Sequence, residues 1–155
     1  VPFKIDPDAD KREEQKDVSE KSIKGLHILL AEDNELNMEI AEFVIQNEGA
    51  SVTKAWNGQE AVEIFQKSRS DEFDVILMDI MMPVMNGYEA AKMIRTLDRD
   101  DAKTVPIIAM TANAFTEDRL KSKESGMNEH IAKPIDAKLL VKVISEFVEN
   151  KEEDS

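Results

Sequence analysis

The chain has 155 residues, of which 33 are acidic and 20 are basic, so its net charge is −13. Apolar residues make up 41%, which is enough for one domain with a core, and the absence of cysteine excludes disulfides and thiolate metal sites. There is no dense basic cluster of the kind that nucleic-acid binders use, and no apolar run approaches the roughly 20 residues that cross a bilayer. We therefore expect a cytoplasmic domain that contacts neither nucleic acid nor the membrane.

Both ends of the chain are rich in charged residues and poor in large apolar ones. Residues 1–24 mix both charge signs and are predicted to form a linker, because they cannot bury enough surface to offset the entropy of ordering. Residues 150–155 are predicted to be a frayed acidic tail. The single folded domain is expected to span residues 25–149.

Continuous apolar runs with β-branched residues mark three strands that are buried on both faces. These runs are HILLA at 27–31, DVILM at 74–78 and VPIIAM at 105–110. SVTKA at 51–55 carries a lysine, as an edge strand would, and HIA at 130–132 is a weaker fifth candidate. Helical spacing fills the gaps, so the pattern predicts an α/β fold with a doubly wound, five-stranded parallel sheet.

The first predicted helix follows the first strand and is ended by Gly49. Its large apolar residues recur at helical spacing, and we expect all four to face the core: Leu36, Ile40, Phe43 and Val44. The same spacing predicts further helices, including one at about 88–97 and a short polar one at about 117–125.

Polar and charged side chains follow four of the predicted strands. Glu32 and Asp33 follow the first strand, Asp79 the third, Thr111 the fourth and Lys133 the fifth. Ligand sites of such sheets lie at the carboxyl ends of the strands, so these side chains are expected to meet there. Oxygen ligands on short side chains suit Mg²⁺, and a carboxylate with a nearby hydroxyl and lysine suits phosphoryl transfer. We expect Asp79 to be the nucleophile, which forms an acyl phosphate.

Each of these residues has an ordinary structural interpretation when it is considered alone. The pair Glu32–Asp33 could cap a helix, and Asp79 could be a turn residue. Thr111 could be a strand-end hydroxyl, and Lys133 a solvated loop lysine. Their joint occurrence at the ends of different strands favours the chemical interpretation.

Four segments of the chain resemble those of two-component receiver domains. These segments are HILLAEDNELN, DVILMDIMMPVMNGYEA, PIIAMTANA and GMNEHIAKPI, and the resemblance covers about residues 25–149. It implies a flavodoxin-like fold with strand order 2-1-3-4-5. It also implies that the domain catalyses its own phosphorylation by a phosphohistidine, and its own dephosphorylation, with Mg²⁺ as cofactor.

The resemblance assigns the phosphoacceptor and metal-binding roles to four residues. Asp79 is the implied phosphoacceptor, and both Asp33 and Asp79 are implied Mg²⁺ ligands. Glu32 is expected to hold the metal through a water molecule, and the carbonyl of Met81 is expected to be a further ligand.

The same resemblance assigns residues to the phosphoryl group and to the loops around it. Thr111 and Lys133 are expected to bind phosphoryl oxygens during catalysis. Lys133–Pro134 is expected to be a cis peptide, and Pro83 and Gly87 are expected to shape the loop after the acceptor.

Three positions bear on signalling rather than on the chemistry itself. Met81 and Asn113 stand where the family tunes the lifetime of the phosphoryl group. His130 stands at the family's aromatic switch position, where Tyr or Phe is common, and would act together with Thr111. Its structural alternative is a half-buried histidine on an edge strand.

A donor histidine must approach in line with Asp79, so its protein has to cover the strand-end face of the sheet. Asn34, Asn37 and Met38 lie outside the predicted inward stripe of the first helix, and we expect them to be free for docking. Ile135 is apolar in a loop that would usually be polar, which indicates either docking or a cap over the last helix.

The first five residues, VPFKI, resemble the last strand of a histidine-kinase ATP-binding domain. Together with the segments EDNELN and AMTANA, they favour the C-terminal receiver of a hybrid sensor histidine kinase, whose other parts could be membrane-anchored. The expected partner is a histidine kinase dimerisation domain or a histidine phosphotransfer domain.

Two other classes stay open from the sequence, and a third is disfavoured. A free-standing receiver would act only by binding a partner. A phosphatase of the haloacid-dehalogenase type also uses an aspartate after a strand, but it needs a second aspartate where Met81 stands. A flavodoxin-like cofactor binder would need a phosphate-binding loop rich in Ser, Thr and Gly after the first strand, and this sequence has none.

Overall fold

The computed structural model describes residues 22–112, 119–133 and 135–154. Its strands are β1 (His27–Ala31), β2 (Ser51–Ala55), β3 (Val75–Asp79), β4 (Ile107–Thr111) and β5 (Glu129–Ala132). Its helices are α1 (Glu35–Asn47), α2 (Gly58–Lys67), α3 (Gly87–Arg95), α4 (Asp100–Thr104), α5 (Arg119–Glu124) and α6 (Ala137–Asp154). Strands and helices alternate along the chain, except that α3 and α4 follow one another.

The five strands form one parallel sheet in the order β2-β1-β3-β4-β5, which confirms the predicted flavodoxin-like architecture. Every residue of β3 and β4 is buried, because helices cover both faces of the sheet. The lysine of β2, Lys54, is exposed, as expected for a strand with only one neighbour.

Two hydrophobic cores lie on opposite faces of the sheet, because alternate residues of a strand point to opposite sides. One core joins the strands to α2 and α3, and its members include Leu29, Ile76, Phe65 and Ile94. The other joins the strands to α1 and α6, and its members include Leu30, Leu77, Ile45 and Ile144. The predicted site residues lie at the carboxyl ends of these strands and in the loops that follow them.

The predicted orientation of α1 is wrong. Its buried residues are Met38, Ala41 and Ile45, whereas Leu36 is 64% exposed and Phe43 is 70% exposed. Both sets recur at helical spacing, so the hydrophobic period alone does not decide between them. Asn34 caps the helix by accepting a hydrogen bond from the Asn37 backbone N–H at 2.9 Å, and α1 rotates so that the small Ala41 faces the sheet.

The ends of the domain also differ from the prediction. Ile23 is fully buried in the second core, so the folded domain includes residues that were assigned to the linker. The predicted acidic tail continues α6 as far as Asp154, and its Glu and Lys residues are good helix formers. Residues 1–21 lie outside the described part of the chain. No helix in the described residues is long and apolar enough to span a membrane.

Candidate active site

The predicted site residues meet at the carboxyl edge of the sheet. Asp79 is the last residue of β3, Thr111 is the last residue of β4, and both are buried. Glu32 and Asp33 follow β1 directly, and Lys133 follows β5. Their convergence follows from the strand order, which places β1, β3 and β4 side by side.

Three carboxylates form a compact group at this edge. One oxygen from each of Glu32, Asp33 and Asp79 lies within 4.8 Å of the other two. Glu32 is 1% exposed and Asp79 2% exposed, while Asp33 is open to solvent. A buried pair of carboxylates with an exposed third oxygen donor fits a hard divalent cation that keeps several waters, such as Mg²⁺.

Lys133 is the cation that partly neutralises this group. Its Nζ lies 3.2 Å from Glu32 Oε1 and 3.2 Å from Asp79 Oδ2. Its backbone N–H donates to the Thr111 carbonyl at 2.8 Å, which fixes the start of the loop after β5. Burial alone would lower the pKa of Lys133, but attraction to the two carboxylates outweighs burial and raises it.

The environment of Asp79 disfavours its charged form. Burial raises its pKa first of all, repulsion by Glu32 raises it further, and Lys133 opposes the rise, so that the pKa increases from 3.8 to about 7. One ammonium group therefore does not balance the negative charge of this site. An additional cation would favour the ionised, nucleophilic form of Asp79.

Glu32 is held by contacts on both of its carboxylate oxygens. Oε2 accepts a hydrogen bond from the Asn34 backbone N–H at 3.0 Å, and Oε1 contacts Lys133. The Glu32 backbone N–H donates to the Ala55 carbonyl at 3.0 Å, next to the partly exposed Trp56. Because Asn34 caps α1, the acidic pair 32–33 is not the helix cap, and that structural alternative is excluded.

The loop between β3 and α3 packs tightly against the acceptor. A Cβ atom added at Gly87 would lie 2.5 Å from the Asp79 carbonyl oxygen, so only glycine allows this approach. The Met81 backbone N–H lies 3.3 Å from Asp79 Oδ1, while the Met81 side chain is exposed. Pro83 precedes Val84, which has a φ of +68°, a strained value for a β-branched residue.

His130 lies on β5, the strand at the far edge of the sheet, and its ring is half-buried. Its Nε2 is 2.6 Å from the Oγ of Ser122, a buried residue of α5. The ring therefore joins β5 to α5. Its role as a switch with Thr111 stays a prediction.

The predicted docking residues differ in their accessibility. Asn34 is exposed, and Asn37 and Ile135 are half-buried beside Glu32 and Lys133 in a small cleft. Met38 is 1% exposed and packs in the core, so its assignment to docking was wrong, for the reason given for α1. Asn113 and Pro134, including the expected cis peptide, lie outside the described residues.

The sequence did not reveal the apolar surface of α1. Leu36, Ile40 and Phe43 are spaced at i, i+4 and i+7, and all three side chains are exposed on one face of the helix. Met81 and Val84 add two more exposed apolar side chains in the β3–α3 loop. An independent sign of the buried face of α1 is Ala41, whose small size suits close packing on a sheet.

Residues 28–145 match the family model described as the response regulator receiver domain. The chain belongs to this family. Among solved structures, the receiver domain of a sensor histidine kinase from Pseudomonas aeruginosa PAO1, with a magnesium ion in its active site cleft, is 37% identical. That match has a TM-score of 0.72 and covers 81% of this receiver and 98% of the other chain. A chemotaxis protein of Vibrio cholerae is 29% identical, with a TM-score of 0.71 and coverage of 79% and 98%.

Several curated relatives of the receiver are histidine kinases that are much longer than this chain. Histidine kinase 1 of Arabidopsis thaliana is 36% identical over 156 residues, a match that covers 81% of the receiver and 13% of the kinase. Hybrid signal transduction histidine kinase M of Dictyostelium discoideum is 42% identical, with coverage of 81% and 5%. The receiver thus spans a small part of the relatives that it matches.

Proposed function

We propose that Asp79 accepts a phosphoryl group from a phosphohistidine in a two-component phosphorelay. An Asp79 carboxylate oxygen attacks phosphorus and the bond between phosphorus and the imidazole nitrogen breaks; because the other ring nitrogen of the donor is protonated, an acyl phosphate and a neutral imidazole result. The observation that carries this proposal is the position of Asp79, which is buried at the end of β3 with Lys133 Nζ at 3.2 Å and two further carboxylates beside it.

Lys133 and Thr111 are proposed to bind the oxygens of the incoming phosphoryl group. Lys133 already contacts the acceptor oxygen, so its ammonium group can pair with the transferred group without a large movement. Thr111 is the last residue of the neighbouring strand β4. It pairs with Ala132 of β5, which is the residue before Lys133. The two residues would therefore approach the phosphoryl group from the same side of the site.

The proposed metal ligands are Asp33 and Asp79 directly, Glu32 through water, and the carbonyl of Met81. When bound, Mg²⁺ would neutralise charge on the acceptor and on the phosphoryl oxygens. The pKa of Asp79, raised first by burial and then by repulsion from Glu32, supports this assignment, because a bound cation would oppose both effects and favour the carboxylate. The magnesium ion in the active site cleft of the Pseudomonas aeruginosa receiver supports the same assignment by analogy.

Phosphorylation is proposed to shift an equilibrium that involves Thr111, β5 and α5. The hydrogen bond between Lys133 and Thr111 couples β4 to the loop after β5, and the contact between His130 and Ser122 couples β5 to α5. A displacement of Thr111 toward the phosphoryl group would therefore affect the positions of both β5 and α5.

The partner is proposed to be a helical histidine-bearing domain, either a kinase dimerisation domain or a phosphotransfer domain, and this receiver is proposed to belong to a hybrid histidine kinase. The histidine kinases among the relatives support this context. The exposed stripe of Leu36, Ile40 and Phe43, together with Ile135, offers an apolar docking surface beside the site.

Incubation with acetyl phosphate and Mg²⁺ tests the acceptor. Intact-mass spectrometry is expected to show addition of one phosphoryl group to the wild type and to the control Asp98→Asn, which alters an exposed aspartate outside the site. Asp79→Asn is expected to add none. Equal labelling of Asp79→Asn and wild type would contradict the assignment.

A further inference from the structure

A second cavity lies away from the carboxylate site, between the end of α3, helix α5 and the start of β5. Its volume of ≈ 540 Å³ falls in the range of about 300–1,000 Å³ that is typical of small-molecule sites. Arg95, Lys103 and Lys123 line it, and Glu129 is its one acidic lining residue among those described. Cations therefore outnumber acids in this cavity, although the chain as a whole has a net charge of −13.

Arg95 places a fixed positive charge in the wall of the cavity. Its Nε and Nη2 donate to the Gly126 carbonyl at 3.0 and 2.8 Å, Nη1 donates to the Ala102 carbonyl, and Nη2 also donates to Asn128 Oδ1. All of these acceptors are neutral, and no carboxylate in the described part of the chain pairs with Arg95. Burial of the guanidinium lowers the pKa of Arg95. Its charge is thus partly desolvated and lacks a counter-ion.

The two lysines are available for a ligand. Lys123 makes no hydrogen bond or ion pair with the described residues, and Lys103 donates only to the Leu97 carbonyl, at 3.2 Å. Both side chains are exposed and have flexible stems, so their ammonium groups can turn toward an anion in the cavity.

The backbone side of the cavity is preformed. Gly126 has a φ of +97°, and a Cβ atom there would lie 2.6 Å from Arg95 Cγ, so the arginine stem rests directly on the glycine. The contact of 2.6 Å between Ser122 Oγ and His130 Nε2 joins the two elements that form the opposite wall. A ligand would therefore meet a site that needs little reorganisation.

We propose that this cavity binds a small anion that carries phosphate groups and more than one negative charge. Lysine binds phosphate as a mobile point charge. Arg95 adds a fixed charge, and because its four hydrogen bonds use four of its five N–H groups, one N–H group can donate to the ligand. Glu129 offsets one of the three positive charges of the lining, and the net positive charge that remains favours a ligand with two or more negative charges over a singly charged one. This binding does not depend on the proposed chemistry of Asp79.

Inorganic pyrophosphate is a suitable probe, in buffer from which divalent metals have been removed by a chelating resin. Titration of the ¹⁵N-labelled chain is expected to give saturable shifts of the amides of residues 126–130. The double variant Lys103→Ala, Lys123→Ala is expected to bind about tenfold more weakly or worse, because two exposed charges are lost without disturbing the core. The control Lys142→Ala removes an exposed lysine of α6 and is expected to bind like the wild type.

Two outcomes would overturn the proposal. Shifts that rise without saturation, or that weaken equally in Lys142→Ala, would show that the chain attracts the anion only through general electrostatics. Loss of binding in Lys133→Ala, with retention in the double lysine variant, would place the anion at the carboxylate site instead. Neither result would bear on whether Asp79 is phosphorylated by acetyl phosphate.

Discussion

Arg99 binds both carboxylate oxygens of Asp101, with Nε 2.7 Å from Oδ1 and Nη2 2.8 Å from Oδ2. The same guanidinium donates to the carbonyls of Phe65 and Ser68 at the end of α2. Asp101 Oδ2 in turn accepts the backbone N–H of Asp71, a non-glycine residue with a φ of +61°. This pair joins the α2–β3 loop to the short helix α4.

The Arg99 clamp, formed by the hydrogen bonds of Arg99 to Asp101 and to the α2–β3 loop, is expected to stabilise the domain, so its removal should be destabilising. Arg99→Ala should lower the free energy of unfolding by about 2–3 kcal/mol, because it breaks charge-assisted hydrogen bonds and leaves the buried Asp101 without its cationic partner. Arg99→Lys should lose less, since an ammonium group can replace part of the contact. Urea unfolding at pH 7 measures both values, and a change within about 0.5 kcal/mol for Arg99→Ala would contradict the clamp.

The effect of the Arg99 variant should also depend on pH. The hydrogen bond from Arg99 lowers the pKa of Asp101 below 3.8. A carboxyl whose pKa is lowered by folding stabilises the native state above its unfolded pKa, and this contribution is lost as the pH falls through the folded value. The difference in stability between wild type and Arg99→Ala is therefore expected to shrink below about pH 4. A difference that stays constant from pH 7 to pH 3 would assign the effect to the carbonyl contacts alone.

Whereas the Asp101 carboxylate stabilises the domain, the Asp79 carboxylate is expected to destabilise the metal-free domain as the pH rises. Its pKa rises on folding from 3.8 to about 7, so the native state binds more protons than the unfolded state in this interval. Stability then falls as the pH rises from about 4 to about 7. In metal-free buffer, Asp79→Asn should be more stable than the wild type by at least about 1 kcal/mol at pH 7.5, and by less at pH 5. Thermal unfolding at the two pH values measures this, with Asp98→Asn as the control.

Magnesium is expected to stabilise the domain through Asp33. A ligand that binds only the native state adds about 2.7 kcal/mol at a concentration one hundred times its dissociation constant. Asp33→Asn should abolish most of this gain, while Glu35→Gln, which alters an exposed acid in the first turn of α1, should keep it. Melting temperatures with and without Mg²⁺ decide the matter, and an equal increase in Asp33→Asn and wild type would exclude Asp33 as a principal ligand.

The exposed stripe on α1, formed by Leu36, Ile40 and Phe43, is expected to affect the rate of phosphotransfer from a protein donor but not from acetyl phosphate. Leu36→Ala and Phe43→Ala should slow phosphotransfer from a phosphohistidine domain by about fivefold or more, because an apolar anchor of a small interface typically carries over 1 kcal/mol. Labelling by acetyl phosphate should stay nearly unchanged. The control Leu120→Ala alters an equally exposed leucine on α5 and should leave both rates unchanged.

The two predicted docking residues beside the carboxylate site, Asn37 and Ile135, can be tested in the same phosphotransfer assay. Asn37→Ala and Ile135→Ala are also expected to slow transfer from the phosphohistidine domain, since both residues line the cleft beside Glu32 and Lys133. Met38→Ala should instead lower stability by about 2–4 kcal/mol, because it opens a cavity in the core. Equal slowing of both donors by Asn37→Ala or Ile135→Ala would locate the defect in the active site or in the fold.

The sequence predicted the sheet and the convergence of Asp79 and Lys133 because both depend on strand order and on residues next to strand ends. It did not predict the rotation of α1, since the sets beginning at Leu36 and at Met38 share the same helical period. It missed α4 because five residues are too few to show a period. It missed the contacts of Arg99 with the α2–β3 loop because those hydrogen bonds join residues that are about 30 positions apart in the chain.

Trp56, the single tryptophan of the chain, follows the backbone hydrogen bond that ties Glu32 to β2. Its backbone N–H is held by Glu60 Oε1 at 2.9 Å, and its ring is partly open to solvent. The domain therefore carries an intrinsic optical reporter next to Ala55, the residue whose carbonyl accepts the Glu32 N–H. If Asp79 and its neighbours bind a cation and accept a phosphoryl group as proposed, both events are expected to change the emission of this single indole in the unlabelled protein.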